Sequence, residues 1–262
     1  MTDSIPLAEL TNERVTVEVV DGHIMVVTMT RIDKRNAIDG EMTQALDAAF
    51  NALDDDPDLW VGVLTGGKRF FCAGTDMAAT SGSPTERGGV YGFVGRTRRK
   101  PVIAAVEGFA YGGGFEVVMA CDMVVAAEDA RFGLPEVKRG LVATSGALFR
   151  AQRVLPLNIA KQLLFTGADL SPEEGHRLGM VNEVVPPGAA LDAAIAWARL
   201  MCENSPVSVQ QSLRVVDHLV SATDDEGWAI TGDARRVIGA SEDSKEGVTA
   251  FFEKRKPNWT GR

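Results

Sequence analysis

Val102-Ile-Ala-Ala-Val106, then Gly112-Gly-Gly-Phe-Glu-Val-Val-Met-Ala-Cys121, then Met123-Val-Val-Ala-Ala127 form the stretch on which the fold class turns. A short apolar run reads as a buried strand, a glycine loop opens a helix, and a second apolar run follows. Strands alternating with helices imply βα units joined by crossovers, hence an α/β fold. The same rhythm runs upstream. Val15–Val20 and His23–Thr30, joined by Asp21-Gly22, read as a hairpin. The segment 41–55 places Met42, Ala45, Leu46, Ala49, Phe50 and Leu53 on one helical face, and Val61–Leu64 is a strand ended by Gly66-Gly67. Residues 78–99, rich in Ser, Gly, Pro and Thr, read as a variable, mobile insert near the site. From about Leu191 the pattern is helical only, in four stretches. The expected organisation is a core over 1–190 and a helical region over 191–262.

The chain has 262 residues, enough for a sizeable core, and carries a net charge of −9. That balance argues against binding a nucleic-acid backbone, which needs clustered Lys and Arg. Two basic runs, 96–100 and 254–256, are local exceptions suited to one small polyanion. Three cysteines far apart lack metal-ligand spacing, so no metal is expected. The first ten residues show no signal-peptide pattern and no stretch is apolar enough for a bilayer, so a cytoplasmic location without membrane partners is the expectation.

Two carboxylates stand in chemically suggestive settings. Glu116 follows the triple glycine, and Glu136 closes Arg131-Phe-Gly-Leu-Pro-Glu136. Glycine lets backbone approach a ligand closely, and a helix start presents unpaired N–H groups. Such a loop holds an anion or stabilises a developing one; it serves equally as a tight strand-to-helix turn. Phe71-Cys-Ala-Gly74 is a second possible donor loop, or a buried strand end. Either glutamate would need a raised pKa to donate a proton near neutrality, which burial beside the other would produce. Without that pairing, each reads as a first-turn or surface acid. The three histidines lack the companions of a nucleophile triad, and Asp76 and Asp122 read as loop braces.

Lys34-Arg-Asn-Ala-Ile38, Phe71-Cys-Ala-Gly-Thr-Asp76, Lys100-Pro-Val-Ile-Ala-Ala-Val-Glu-Gly108, Gly112-Gly-Gly-Phe-Glu116, Cys121-Asp122, Phe132-Gly-Leu-Pro-Glu136 and Phe251-Phe-Glu-Lys-Arg-Lys-Pro257 occur in that order. By these motifs the chain resembles the crotonase (enoyl-CoA hydratase/isomerase) superfamily from about residue 14 to its end. The resemblance implies a spiral of ββα turns with a C-terminal helical region that builds a homotrimer or a dimer of trimers and completes the CoA site. It implies an acyl-CoA thioester substrate and no separate cofactor, coenzyme A being part of the substrate. It further implies an oxyanion hole from the N–H groups of Ala73 and Gly113, with Glu116 and Glu136 as the acid/base pair. Substrate or CoA contacts are implied for Lys34, Arg35, Cys72, Ala73, Asp76, Met77, Gly112, Gly113, Thr144, Phe252 and Lys254.

The expected activity is hydration of a trans-2-enoyl-CoA, or the reverse dehydration. Isomerases of the superfamily commonly manage with one carboxylate, so two favour hydration. Ala143-Thr144 replaces the Pro-Gly of many fatty-acid hydratases, a departure compatible with a carnitinyl-CoA-type dehydratase. A Δ3-Δ2 enoyl-CoA isomerase is the alternative within the enzymes. A non-catalytic acyl-CoA-binding or RNA-binding member is the alternative from another class; the glutamate pair opposes the first and the net charge the second.

Overall fold

The computed structural model describes residues 7–262. The strands, in chain order, are β1 (Val15–Val20), β2 (Ile24–Met29), β3 (Val61–Thr65), β4 (Val102–Val106), β5 (Phe109–Tyr111), β6 (Met123–Ala127), β7 (Arg131–Gly133), β8 (Asp169–Leu170) and β9 (Glu183–Val185). The helices are α1 (Leu7–Leu10), α2 (Gly40–Asp55), α3 (Gly113–Met119), α4 (Ala147–Val154), α5 (Leu157–Thr166), α6 (Pro172–Arg177), α7 (Ala190–Cys202), α8 (Pro206–Val220), α9 (Asp224–Ala240) and α10 (Glu242–Phe252). One sheet runs β1-β2-β3-β4-β6-β9 and a smaller one β5-β7-β8.

Only the β1–β2 hairpin is antiparallel in the large sheet; every later neighbour is parallel. Each parallel step needs a crossover, and the chain repeats one: a strand of the large sheet, a short strand of the small sheet, then a helical turn. Thus β4 leads to β5 and α3, and β6 leads to β7 and a 3-10 helix over Pro135–Arg139. β5 pairs with β7 in parallel register, Ala110 beside Phe132. This repeat brings the starts of two successive helical turns, one bearing Glu116 and the other Glu136, to the same edge.

Alternation along the strands builds two cores. Met25, Val27, Val102, Ala104 and Val106 face the larger one, with Phe50 of α2 and Phe115 of α3. Ile24, Val26, Val61, Val63, Ile103, Ala105 and Val125 face the other way, against Ala190, Ala194 and Ala198 of α7. Small residues at four-residue spacing let α7 lie close on the sheet. α7 therefore belongs to the core layer, although it lies within the range expected for the helical region. Helix α8 buries no residue and α9 only Thr231, while Val207, Val215, Val216, Leu219, Val220, Ile230 and Val237 are exposed. Among the described residues, no helix is long and apolar enough to cross a membrane.

Residues 78–99 divide in two. The first half is mostly exposed, but Tyr91, Gly92, Phe93 and Val94 are buried against α2. The expected mobile insert is thus, in its second half, part of the core. The basic run 96–100 is likewise mostly internal. Arg96 bonds Asp47 and Asp54 of α2, Arg98 is paired with Asp122, and Lys100 is buried and bonds the carbonyl of Asp56. These cations brace the fold, so the run does not serve as a small-polyanion patch.

Candidate active site

Local sequence places the first carboxylate. Gly112 adopts φ +55, ψ −126, which a side chain would resist, and its N–H donates to the Gly133 carbonyl at 2.9 Å. The chain then turns directly into α3, so Glu116 falls in its first turn and is 2% exposed. Glu116 Oε1 accepts the Ser145 N–H at 2.7 Å and the Ala147 N–H at 3.0 Å. A 3-10 turn opened by Pro135 carries Glu136, whose Oε1 lies 3.1 Å from where a β-carbon on Gly112 would stand. Its other oxygen, Oε2, is buried with no hydrogen-bond partner.

The fold therefore buries the two glutamates close enough for the charge of Glu116 to act on Glu136. Burial pushes the Glu116 carboxyl up to about 7, opposed by the two backbone N–H groups. Burial, then the charge of Glu116, push Glu136 up to about 8. The backbone donors favour the ionised form of Glu116, while at Glu136 only its own backbone N–H and the Arg139 charge work against the rise. Both carboxyls thus hold a proton more readily than a free glutamate, Glu136 the more so.

The second loop meets the first at Gly74, where φ is +92: a β-carbon there would lie 2.8 Å from the Tyr111 carbonyl and 2.9 Å from the Gly113 nitrogen. Ala73, however, is not the donor expected from the sequence. Its N–H is engaged with the Arg35 carbonyl at 3.0 Å, because Arg35 and Asn36, both at positive φ, turn that carbonyl toward the loop. The open donor is two residues on. Ile38 pairs with the 74–76 segment through the Gly74 carbonyl and the Asp76 N–H. The intervening Thr75 N–H meets no acceptor among the described residues, nor does that of Gly113. Thr75 and Gly113 are the two open donors where the loops meet.

Asn36 also escaped the sequence reading. Fully buried, its Nδ2 donates to the carbonyls of Gly66, Phe70 and Phe71 at 3.0–3.2 Å and so sets the course of the loop. The Lys34-Arg-Asn motif contained it, but only the fold reveals that the asparagine ties these carbonyls together. Tyr91 escaped too, having no motif around it; its hydroxyl lies 2.6 Å from Thr75 Oγ1.

The remaining expected contacts fare unevenly. Cys72 is corrected: it is fully buried, its Sγ meets the Asn36 carbonyl at 3.0 Å, and burial pushes its thiol up to about 12, so the side chain packs the loop from behind. Asp76 accepts from Arg31 at 2.6 Å and from the N–H groups of Ala78 and Ala79, which makes it a brace. Lys34 and Arg35 are exposed on the loop beside Ala73, Met77 is half-buried, and Thr144 is half-buried immediately before Ser145. Gly247 of α10 seats on the Arg139–Gly140 backbone, and Arg139 stacks on Phe251 at 4.8 Å, so the C-terminal helix packs on the Glu136 turn of its own chain. Phe252 is 56% exposed and Lys254 is exposed. No cluster of metal-ligating side chains occurs among the described residues.

The chain is similar to known proteins over nearly its whole length. Residues 20–262 match the family model described as enoyl-CoA hydratase/isomerase. A carnitinyl-CoA dehydratase of Salmonella arizonae is 39% identical over 252 residues, covering 92% of this chain and 96% of the relative. The enoyl-CoA hydratase EchA19 of Mycobacterium tuberculosis is 37% identical over 251 residues, covering 92% and 94%. The crystal structure of a carnitinyl-CoA hydratase from Mycobacterium avium superposes with a TM-score of 0.90 at 40% identity, covering 96% of this chain and all of that one. With its spiral of ββα turns and its family match over nearly the whole length, the chain belongs to the enoyl-CoA hydratase/isomerase family.

Proposed function

We propose that this protein adds water across the double bond of a 2-enoyl-CoA thioester, or removes it in reverse. One observation carries the reading: two buried carboxyls, both pushed up from the ordinary glutamate value, lie beside loops that carry two open backbone N–H groups. The thioester oxygen accepts from Thr75 N–H and Gly113 N–H, which stabilise the charge that develops there. Ionised Glu116, oriented by Ser145 and Ala147, takes a proton from water as the water oxygen bonds C3. Protonated Glu136 delivers its proton to C2. Dehydration reverses each step with the same atoms.

The names of the relatives at 39% and 37% identity, a carnitinyl-CoA dehydratase and an enoyl-CoA hydratase, support this reaction class. An isomerase would move a proton between C2 and C4 and needs no water-holding partner, so the paired carboxyls favour hydration over it. Coenzyme A enters with the substrate, and the exposed Lys34, Arg35 and Lys254 are its phosphate contacts. The apolar faces of α8 and α9 form the interface of a homotrimer or a dimer of trimers, since exposed apolar patches of this kind mark association surfaces. The decisive assay is loss of the conjugated enoyl absorbance with a panel of CoA thioesters. Absence of turnover with every enoyl thioester in a folded protein would refute the hydratase reading.

A further inference from the structure

Tyr91 joins the loops that separately carry the parts of the candidate site. Its buried ring packs on Gly113: a β-carbon there would stand 2.3 Å from the phenol oxygen and 2.6 Å from the carbon that bears it. The phenol thus fills the place a side chain would take, and it backs the segment whose N–H is open. The hydroxyl meets Thr75 Oγ1 at 2.6 Å, on the residue that offers the other open N–H. It also reaches the Ser145 hydroxyl, which in turn lies within reach of the Glu116 carboxyl. The Ser145 N–H donates to Glu116 Oε1 at 2.7 Å, so this is the loop that orients the carboxylate. Burial, then the charge of Glu116, push the phenol well above its ordinary value, and it stays a neutral hydroxyl.

The turn that presents Tyr91 is held against strain. Tyr91 sits at φ 59, ψ 11, a left-handed conformation that an aromatic residue keeps only where its surroundings over-determine it. Glycines permit the close approach: a β-carbon at Gly92 would meet the Thr43 carbonyl of α2 at 2.2 Å, and one at Gly89 would meet the Gly95 α-carbon at 2.9 Å. Arg96 anchors the turn to α2 through Asp47 and Asn51, each at 2.7 Å, and Asp54 at 3.2 Å. A hydroxyl presented this way is a fixed point on which other loops can register.

We propose that Tyr91 is a positioning residue whose hydroxyl ties the Thr75 donor loop to the Ser145 loop, holding the open N–H groups and Glu116 in one arrangement. It touches no reacting atom and acts through Thr75, Gly113 and Ser145. With Glu116 ionised, as in the proposed mechanism, the carboxylate can only accept, so the Ser145 hydroxyl donates to it. The Ser145 oxygen then accepts from Tyr91 and the Tyr91 oxygen from Thr75, each hydroxyl directing its one proton toward the carboxylate. Hydrogen bonds arranged in such a chain polarise one another, which stiffens the link. The inference rests on the acyl-thioester reading of the two donors but not on hydration itself.

Tyr91→Phe keeps the ring against Gly113 and removes only the hydroxyl. In the hydration assay it is expected to lower kcat about 10–100-fold while KM changes less than about threefold, because misplaced donors weaken the transition state more than the bound substrate. Thr75→Val keeps the N–H and the shape, breaks the same link from its other end, and should act in the same direction. The double variant should lose little beyond either single one. An unchanged kcat with a lowered Tm would make the hydroxyl merely structural and overturn the proposal, as would losses that multiply in the double variant. Infrared difference spectra of butanoyl-CoA labelled with ¹³C at its thioester carbonyl separate the proposal from hydration, since this saturated thioester has no double bond to hydrate. On binding the wild type its carbonyl band should move to lower wavenumber, and Tyr91→Phe should shrink that shift. An equal shift in both proteins, or none in the wild type, overturns the role. A shift that shrinks as expected in a protein that hydrates nothing would leave Tyr91's role standing and remove the hydratase reading.

Discussion

Glu116 and Glu136 differ in their partners, and the proposed roles follow that difference. With two backbone N–H groups on one and an unpartnered oxygen on the other, each replacement should remove a distinct proton transfer. Glu116→Gln and Glu136→Gln are each expected to lower kcat by about 10²–10⁴-fold with the fold intact, measured by the absorbance assay and circular dichroism. Full turnover in either variant would make that carboxyl structural. The pH dependence has a definite sign. In the proposed mechanism Glu136 donates its proton, so activity should decline on the alkaline side as that carboxyl ionises around its raised value of about 8. A rate flat to pH 10 would contradict the assignment. Stability follows the same protons: an unfolded glutamate ionises at about 4.3, whereas the folded pair keeps its proton well above that. Between those limits the folded state binds more protons, so stability falls as pH rises. Glu136→Gln should therefore raise Tm at pH 8 and leave it nearly unchanged at pH 4. At the donor loops, Thr75→Pro removes the open N–H and should cost about 10²–10³-fold in kcat, whereas Ala73→Pro, which breaks the bond to Arg35, should act mainly on stability.

Among elements, α2 is the support on which the site's rear wall hangs. Its Asp39 side chain caps the helix through the Met42 N–H at 2.8 Å and pairs with Arg14 at 3.0 Å, while Asp47 and Asp54 hold Arg96. Arg96→Ala leaves Asp47 without its cation and Asp54 with only the looser Arg87 contact at 3.7 Å, and should destabilise the protein by about 3–5 kcal/mol, read from urea denaturation. Loss of less than 1 kcal/mol would mean the network relaxes onto solvent. α3 contributes differently. It is only seven residues long, and its value lies in where it begins.

At the scale of the molecule, α8 and α9 present an apolar surface that the chain itself leaves uncovered. A Val216→Glu/Leu219→Glu double variant is expected to shift the protein to a monomer in sedimentation velocity, with its secondary structure retained. An unchanged sedimentation coefficient would place the interface elsewhere.

The βα rhythm, the hairpin at Asp21-Gly22, the α2 face and the glycine-opened α3 were all legible in the chain, because each depends on hydrophobic period or on a backbone angle that only local residues set. The two glutamates were legible for the same reason: a triple glycine and a Leu-Pro step mark their turns. Three matters belonged to the tertiary structure. That Glu136 lies close enough to Glu116 to feel its charge depends on β5 pairing beside β7, a contact between separate turns of the spiral. That Thr75 rather than Ala73 offers its N–H depends on a carbonyl far upstream, at Arg35, which no local pattern reports. That the run 96–100 is internal, and that Tyr91 reaches the site, depends on α2 supplying Asp47 and Asp54 from across the core. Local sequence determines which conformations a segment can adopt; which of its polar groups remain unpaired, and so able to do chemistry, is decided only when distant segments have taken the rest.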